Sequence, residues 1–212
     1  MTDTRNEPRW PASLALVVCA ALYIALPSRL CVGPRWILPV LVLLPLIPLS
    51  MGRHRHFEEP KWVRPVTIGL IFLIHVANMI STGLLVNDLL TRNVTNGRAL
   101  IFAAALVWLT NVIAFGLWLW EVDRGGPSVR GTNRESWPDI QFPQLENPTL
   151  APAGWRPRFW DYLYSSFANG TSFAPADAMP LTFRAKALFA SESLVSVVTL
   201  VVVAARAVNI FV

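Results

Sequence analysis

Residues 171–182 read TSFAPADAMPLT, and their setting decides the fold. Ahead of them lies a short aromatic, amphipathic run, FWDYLYSSF at 159–167, and behind them a long apolar run covers 185–212. A short helix, an irregular turn and then a helix long enough to cross a bilayer predict a re-entrant helix–loop followed by a full span. Irregular backbone at membrane depth survives only where protein or a water-filled cavity satisfies its polar groups. The loop is therefore the first place to look for function.

The whole composition agrees with a membrane setting. Apolar residues make up 54% and charged residues 15%, against about 25% charge in ordinary soluble domains. Five apolar stretches are read as spans, at about 11–32, 36–51, 65–90, 100–120 and 185–212. The expected fold is an all-α membrane protein: five transmembrane helices plus a re-entrant pore-helix and loop before the last helix. Residues 1–99 form an N-terminal three-helix membrane region. Residues 100–212 form an outer helix, a polar connection, the re-entrant loop and an inner helix.

The net charge of +5 is that of loop arginines that set orientation, not of a nucleic-acid surface; no basic patch with interleaved aromatics is present. The nine Trp residues cluster near segment ends, as interfacial anchors do. Five spans leave thirteen of the eighteen Lys and Arg residues on the side of the N-terminus and the 171–182 loop, which places that side in the cytoplasm. Cys19 and Cys31, read as lying on one helix about three turns apart, cannot pair with each other.

The segment around the loop resembles the pore region of the potassium-channel superfamily, two helices flanking a pore loop, over about residues 100–212. Thr171 and Ser172 match that family's paired threonines, and Phe173 stands where the filter valine sits. Ala174, Pro175 and Ala176 occupy the Gly-Tyr-Gly positions, and Asp177 falls on the filter-terminal aspartate. Pro180, Thr182 and Arg184 match positions that follow. The chain is also similar to a group of bacterial integral membrane proteins of unassigned function that share this C-terminal pattern and a Trp-rich fourth helix ending in E-x-D-R-G-G-P, here Glu121–Pro127. The resemblance implies a homo-tetramer in the bacterial inner membrane, multi-pass, passing monovalent cations, with loop entry from the outer face, opposite to the charge count.

The filter itself departs from the family's physics. A potassium filter turns successive carbonyls inward and needs glycines that adopt positive φ. Pro175 is locked near φ −65° by its ring, and Ala174 and Ala176 disfavour the turn. A weakly selective pore is expected, with an apolar constriction at Phe173, Ala174 and Pro175 that gates by dewetting. A non-conducting scaffold that keeps the pore-loop fold is the alternative.

Polar residues inside the spans complete the reading. Glu192, Ser196, Thr199, Val203 and Arg206 recur at intervals of 4, 3, 4 and 3 and share one helix face. That face is read as a pore or cavity lining built on Glu192, Ser196 and Thr199, or as helix packing by small and hydroxyl residues. His75, Asn78 and Thr82 share a face of the third span, with Asn111 of the fourth as their partner. Glu121, Asp123 and Arg124 form an acid–base cluster where the fourth span ends, read either as a plain interfacial cluster or as a clamp on the loop through Arg156 or Arg158. His54, His56, Glu58 and Glu59 fit contact with anionic membrane lipids better than metal binding, since Arg55 separates the histidines. No phosphate loop, dinucleotide fingerprint, HExxH or GxSxG is present. No enzyme activity, cofactor or metal is expected.

Overall fold

The computed structural model of the chain describes residues 7–51, 60–91, 97–132, 134–174 and 178–211, with backbone alone at 47–51, 97, 202–203 and 205–211. Pro175, Ala176, Asp177 and the His54–Glu59 cluster lie outside the described residues, as do the side chains of Val203 and Arg206. The chain is mostly helical. Helix α1 spans Trp10–Ala25, α2 Ile37–Met51, α3 Val63–Thr91, α4 Gly97–Val122, α5 Pro143–Glu146, α6 Phe159–Ser172 and α7 Phe183–Phe211. Two short strands, β1 (Ile140–Gln141) and β2 (Met179–Pro180), pair antiparallel with Ile140 opposite Pro180. Among the described residues, Val63–Thr91 and Arg98–Gly125 are long and apolar enough to cross a membrane, whereas Trp10–Ala25 and Ile37–Leu46 are apolar but shorter.

The first helix ends earlier than the apolar run that encodes it. Pro27 disfavours helical backbone at the residue before it, and Leu26 is extended, with ψ 142°. Cys31 therefore lies past α1, in the connection to α2, so Cys19 and Cys31 do not share a helix; both are buried and free. The connection is pinned to α3. The Ser81 hydroxyl donates to the Leu30 carbonyl at 2.8 Å, and Arg29 pairs with Asp88 at 3.1 Å.

Helix α4 is the centre of the bundle and touches α1, α3, α6 and α7. Its apolar residues lie all round the helix, and from Thr110 to Glu121 it is enclosed, while Ile101, Phe102 and Leu109 in its first half stay exposed. Helix α6 runs back along it in the opposite direction. Phe159 packs its ring edge-on to Trp120 at 5.9 Å. Leu163 lies against Gly116, the Ser166 hydroxyl donates to the Val112 carbonyl at 2.7 Å, and Trp108 Nε1–H donates to the Gly170 carbonyl at 3.2 Å. From Trp120 to Trp108 is about 18 Å of helix rise, roughly half the length of a span, and there α6 stops. The chain then returns: the Leu181 N–H donates to the Asp139 carbonyl at 2.8 Å, and the Ile140 N–H donates to Asp123 at the α4 end. Helix α7 starts at that same end and descends beside α6.

Glycines set the closeness of this packing. A Cβ at Gly116 would meet the Leu163 Cα and Cδ1 at 3.1 Å, and one at Gly170 would meet Val112 Cγ2 at 3.1 Å and Ser196 Oγ at 3.3 Å. Gly69 in α3 has nothing within 4 Å. Gly116→Val is expected to cost about 1–3 kcal/mol through overpacking, while Gly69→Val stays near wild type; thermal unfolding of both variants in detergent makes the comparison.

Candidate functional site

Polar residues gather in two places, a lattice at the loop end of the bundle and a network inside it. The lattice begins with Asp123, fully buried just past the last residue of α4. Its Oδ1 accepts the N–H groups of Asp139 at 2.9 Å and Ile140 at 3.1 Å, and its Oδ2 accepts the Tyr162 hydroxyl at 2.6 Å. One carboxylate thus ties α4, β1 and α6 together. Asp139 carries the tie onward, accepting the Thr182 hydroxyl at 2.5 Å and lying 3.7 Å from Arg184. The return of the chain into α7 is therefore anchored by a relay of two buried carboxylates.

Glu7 is the second hub. Its Oε1 accepts Trp120 Nε1–H at 2.7 Å and the Phe159 N–H at 3.1 Å, and its Oε2 pairs with Arg130 at 2.6 Å. Burial pushes this carboxyl above its ordinary 4.5, and the Arg130 charge with the Trp120 and Phe159 hydrogen bonds brings it only part of the way back. Arg130 also donates to the Trp120 carbonyl and lies over the Tyr162 ring at 4.8 Å. Glu121 pairs with Arg9 at 2.7 Å and lies 3.7 Å from Arg64. The expected clamp on the loop through Arg156 or Arg158 is not what forms: Glu121 is reached by Arg9, ahead of α1, and Arg64 of α3, which tie α4 to those helices and not to the loop. Arg124 has left-handed backbone, φ 56°, followed by Gly125 and Gly126 at 84° and 94°, and its side chain pairs with Glu135 at 2.8 Å. This run turns the chain sharply out of α4. Phe142, in the connection between α4 and α6, is buried edge-on to Tyr162 at 5.3 Å. Asp161 accepts the Arg158 N–H at 2.7 Å, satisfying a free amide at the start of α6.

The interior network is centred on Glu192 in α7. The Ser166 hydroxyl of α6 lies against its Oε1 and also against the Val112 carbonyl. The Asn169 amide nitrogen donates to Glu192 Oε2 at 3.0 Å and to the Phe189 carbonyl at 2.9 Å, and its oxygen accepts the Ser193 hydroxyl at 3.1 Å. One turn deeper, Asn78 of α3 donates to Asn111 of α4 at 3.5 Å, and Asn111 donates to Ser196 of α7 at 3.4 Å. His75 sets its ring edge-on to Phe115 at 4.9 Å. No Lys or Arg of the described residues forms an ion pair with Glu192.

The sequence-predicted residues thus divide. Glu192, Ser196 and Thr199 are buried inside the single chain, against α4 and α6. Thr171, Ser172, Phe173 and Ala174 form the tip of α6 and stay exposed. Thr171 and Ser172 donate back to carbonyls of their own helix, Ala168 among them at 3.0 and 2.6 Å. Phe173 caps α6 in left-handed backbone, φ 58°, and is 44% exposed. Glycine is the usual residue there. Sequence reasoning passed over Glu7, Asp139, Ser166 and Asn169 as partners. Ser166 and Asn169 are three apart and so face one way from α6, which was a usable signal; Glu7 and Asp139 join the lattice across more than a hundred and about forty residues, and no local pattern marks them.

Ser166 has one hydroxyl hydrogen and faces two acceptors, the Val112 carbonyl and Glu192. A hydrogen on the residue-192 side chain completes the set, and glutamine supplies one in the same shape. Glu192→Gln is expected to melt close to wild type in detergent, and Glu192→Ala to lose about 1–3 kcal/mol through stranded polar groups. At the loop, burial pushes the Glu135 carboxyl up, but Arg124, the Gly131 N–H and the Arg156 charge outweigh it and hold the group below 4.5. Its contribution is complete above 4.5 and is lost as the pH falls through the lowered value. The protection of the Gly131 amide against exchange, relative to its intrinsic rate at each pH, should fall on that acidification in wild type, where its N–H donates to Glu135 at 2.8 Å, and should stay constant in Glu135→Gln. No protein-family model, curated protein or solved structure matches this chain.

Proposed function

We propose that the chain is a multi-pass inner-membrane protein with α1, α2, α3, α4 and α7 as its spans and α6 with its return as a re-entrant helix–loop. In this reading it is a pore-loop type ion channel with little potassium selectivity, formed by several copies that meet at the α6 tip. The observation that carries it is the path of the chain around α6. The helix stops beside Trp108, midway along α4, and ten residues later Thr182 is bonded to Asp139 at the α4 end. Ten extended residues reach about 33 Å, ample for a return from mid-depth. The state of Phe173 supports the same reading. An exposed aromatic residue held at positive φ is strained by about 1–2 kcal/mol, and such strain concentrates at functional positions. A narrow part lined by Thr171, Ser172, Phe173 and Ala174 is apolar at its centre and conducts only when wetted.

A second reading, a non-conducting membrane scaffold with the same fold, is favoured by one observation. Glu192, Ser196 and Thr199 are enclosed within a single chain, so the polar face of α7 is already used for packing. Cation flux through purified protein in liposomes separates the two. Conduction altered by Phe173→Ala or Asp177→Asn, and unaltered by Glu192→Gln, is the expected result. Absence of flux over a range of pH, voltage and cations would leave the scaffold reading.

A further inference from the structure

A crevice of about 440 Å³ opens at the loop end of the bundle between α3, the end of α4 and the start of α7, lined by Arg64, Ile68, Trp118, Glu121, Ser136 and Arg184 among others. Its height relative to a bilayer follows from its neighbours. Trp10, Trp62 and Trp160 start or adjoin α1, α3 and α6 at this same end, and all three are exposed. A girdle of exposed tryptophans marks the headgroup level.

The two arginines have capacity to spare. Glu121 already has Arg9 at 2.7 Å, and Arg64 stands off at 3.7 Å from it, using Nη2 on the Glu121 carbonyl at 3.3 Å. Arg64 Nε is buried with no hydrogen-bond partner among the described residues. Arg184 is 74% exposed and lies 3.7 Å from Asp139, beyond hydrogen-bond length. Arg64 and Arg184 are the two cations that line the crevice, and with Glu121 already served by Arg9 their remaining N–H groups suit one phosphodiester. Below the arginines, Ile68 and Trp118 line the crevice and offer apolar wall to an acyl chain.

We infer that this crevice is a binding site for one anionic glycerophospholipid, its phosphate held by Arg64 and Arg184 and its chains running along Ile68 and Trp118. Basic pockets between membrane helices take anionic headgroups in this way. The inference rests on the membrane reading of the bundle, but not on conduction.

The test is native mass spectrometry of the full chain in non-ionic detergent, titrated with phosphatidylglycerol or with phosphatidylcholine of the same chains, each with and without inorganic phosphate. One phosphatidylglycerol should be retained in preference to phosphatidylcholine, and inorganic phosphate should not displace it. Arg184→Gln should weaken retention about fivefold, the worth of one arginine at an anionic surface. Arg134→Gln, an exposed loop arginine outside the crevice, should leave it unchanged. Arg184 is largely exposed and, among the described residues, stands 3.7 Å from Asp139 without a hydrogen bond, so the variant should fold. Equal retention of the two lipids, or indifference to Arg184→Gln, would overturn the site. Displacement by inorganic phosphate would overturn the lipid assignment in favour of a free oxyanion. A chain that remains soluble and monodisperse without detergent would defeat the membrane reading itself, independently of the lipid comparison.

Discussion

The architecture depends on how one buried carboxylate is satisfied. Asp123 sits where α4 ends, with no access to water, and a carboxylate in that position must be fully hydrogen-bonded. It takes two backbone N–H groups from the start of β1 and a hydroxyl from α6. Those three donors come from segments more than fifteen residues away, so meeting the needs of one side chain folds the whole 123–158 connection onto the end of the bundle. Because Asp139 is placed by the same carboxylate, and Thr182 by Asp139, the point at which the chain comes back from the α6 tip is fixed as well. Glu7 does the equivalent work for the N-terminal segment, α4 and α6.

Inside the bundle the constraint is the opposite one: polar groups are few, and those around Glu192 are paired among themselves. Asn169 illustrates it. Its amide donates twice and accepts once, with no partner shared with solvent, and it joins α6 to α7 at the depth where a half-length helix would otherwise have an unsupported end. Close approach matters equally. Gly116 and Gly170 let α6 lie so near α4 and α7 that a single added methyl group would touch backbone or side chain at 3.1 Å. Small residues at helix contacts and a few interhelical hydrogen bonds are the means by which helices associate where the hydrophobic effect between them is weak.

Much of this was legible without coordinates. The helical segments follow from apolar run lengths, the end of α4 from the Arg-Gly-Gly-Pro that succeeds it, and the start of α6 from Asp161 beside an aromatic amphipathic run. The shared faces of His75, Asn78 and Thr82, and of Glu192, Ser196 and Thr199, follow from spacing, and Asn111 does bond to Asn78. What spacing could not decide is which way a face points. A seam of Glu, Ser and Thr on α7 suits a water-lined cavity or a packed interface equally, because both avoid lipid. The partners Ser166 and Asn169, which turn the seam inward, belong to a helix some twenty-five residues earlier.

By itself the sequence determined a mostly helical chain with helices apolar enough for a membrane, a short helix and return ahead of the last helix, and acid–base residues collected at one end. These are local properties: run length, period and the φ limits of proline and glycine. Only the tertiary structure decided that Glu192 faces Ser166 and Asn169, that Glu121 takes Arg9 and Arg64, and that Asp123 and Asp139 hold the return. A buried charge or amide accepts whichever donor the packing brings within about 3 Å, and that choice is made by segments distant along the chain, with no local pattern to announce it.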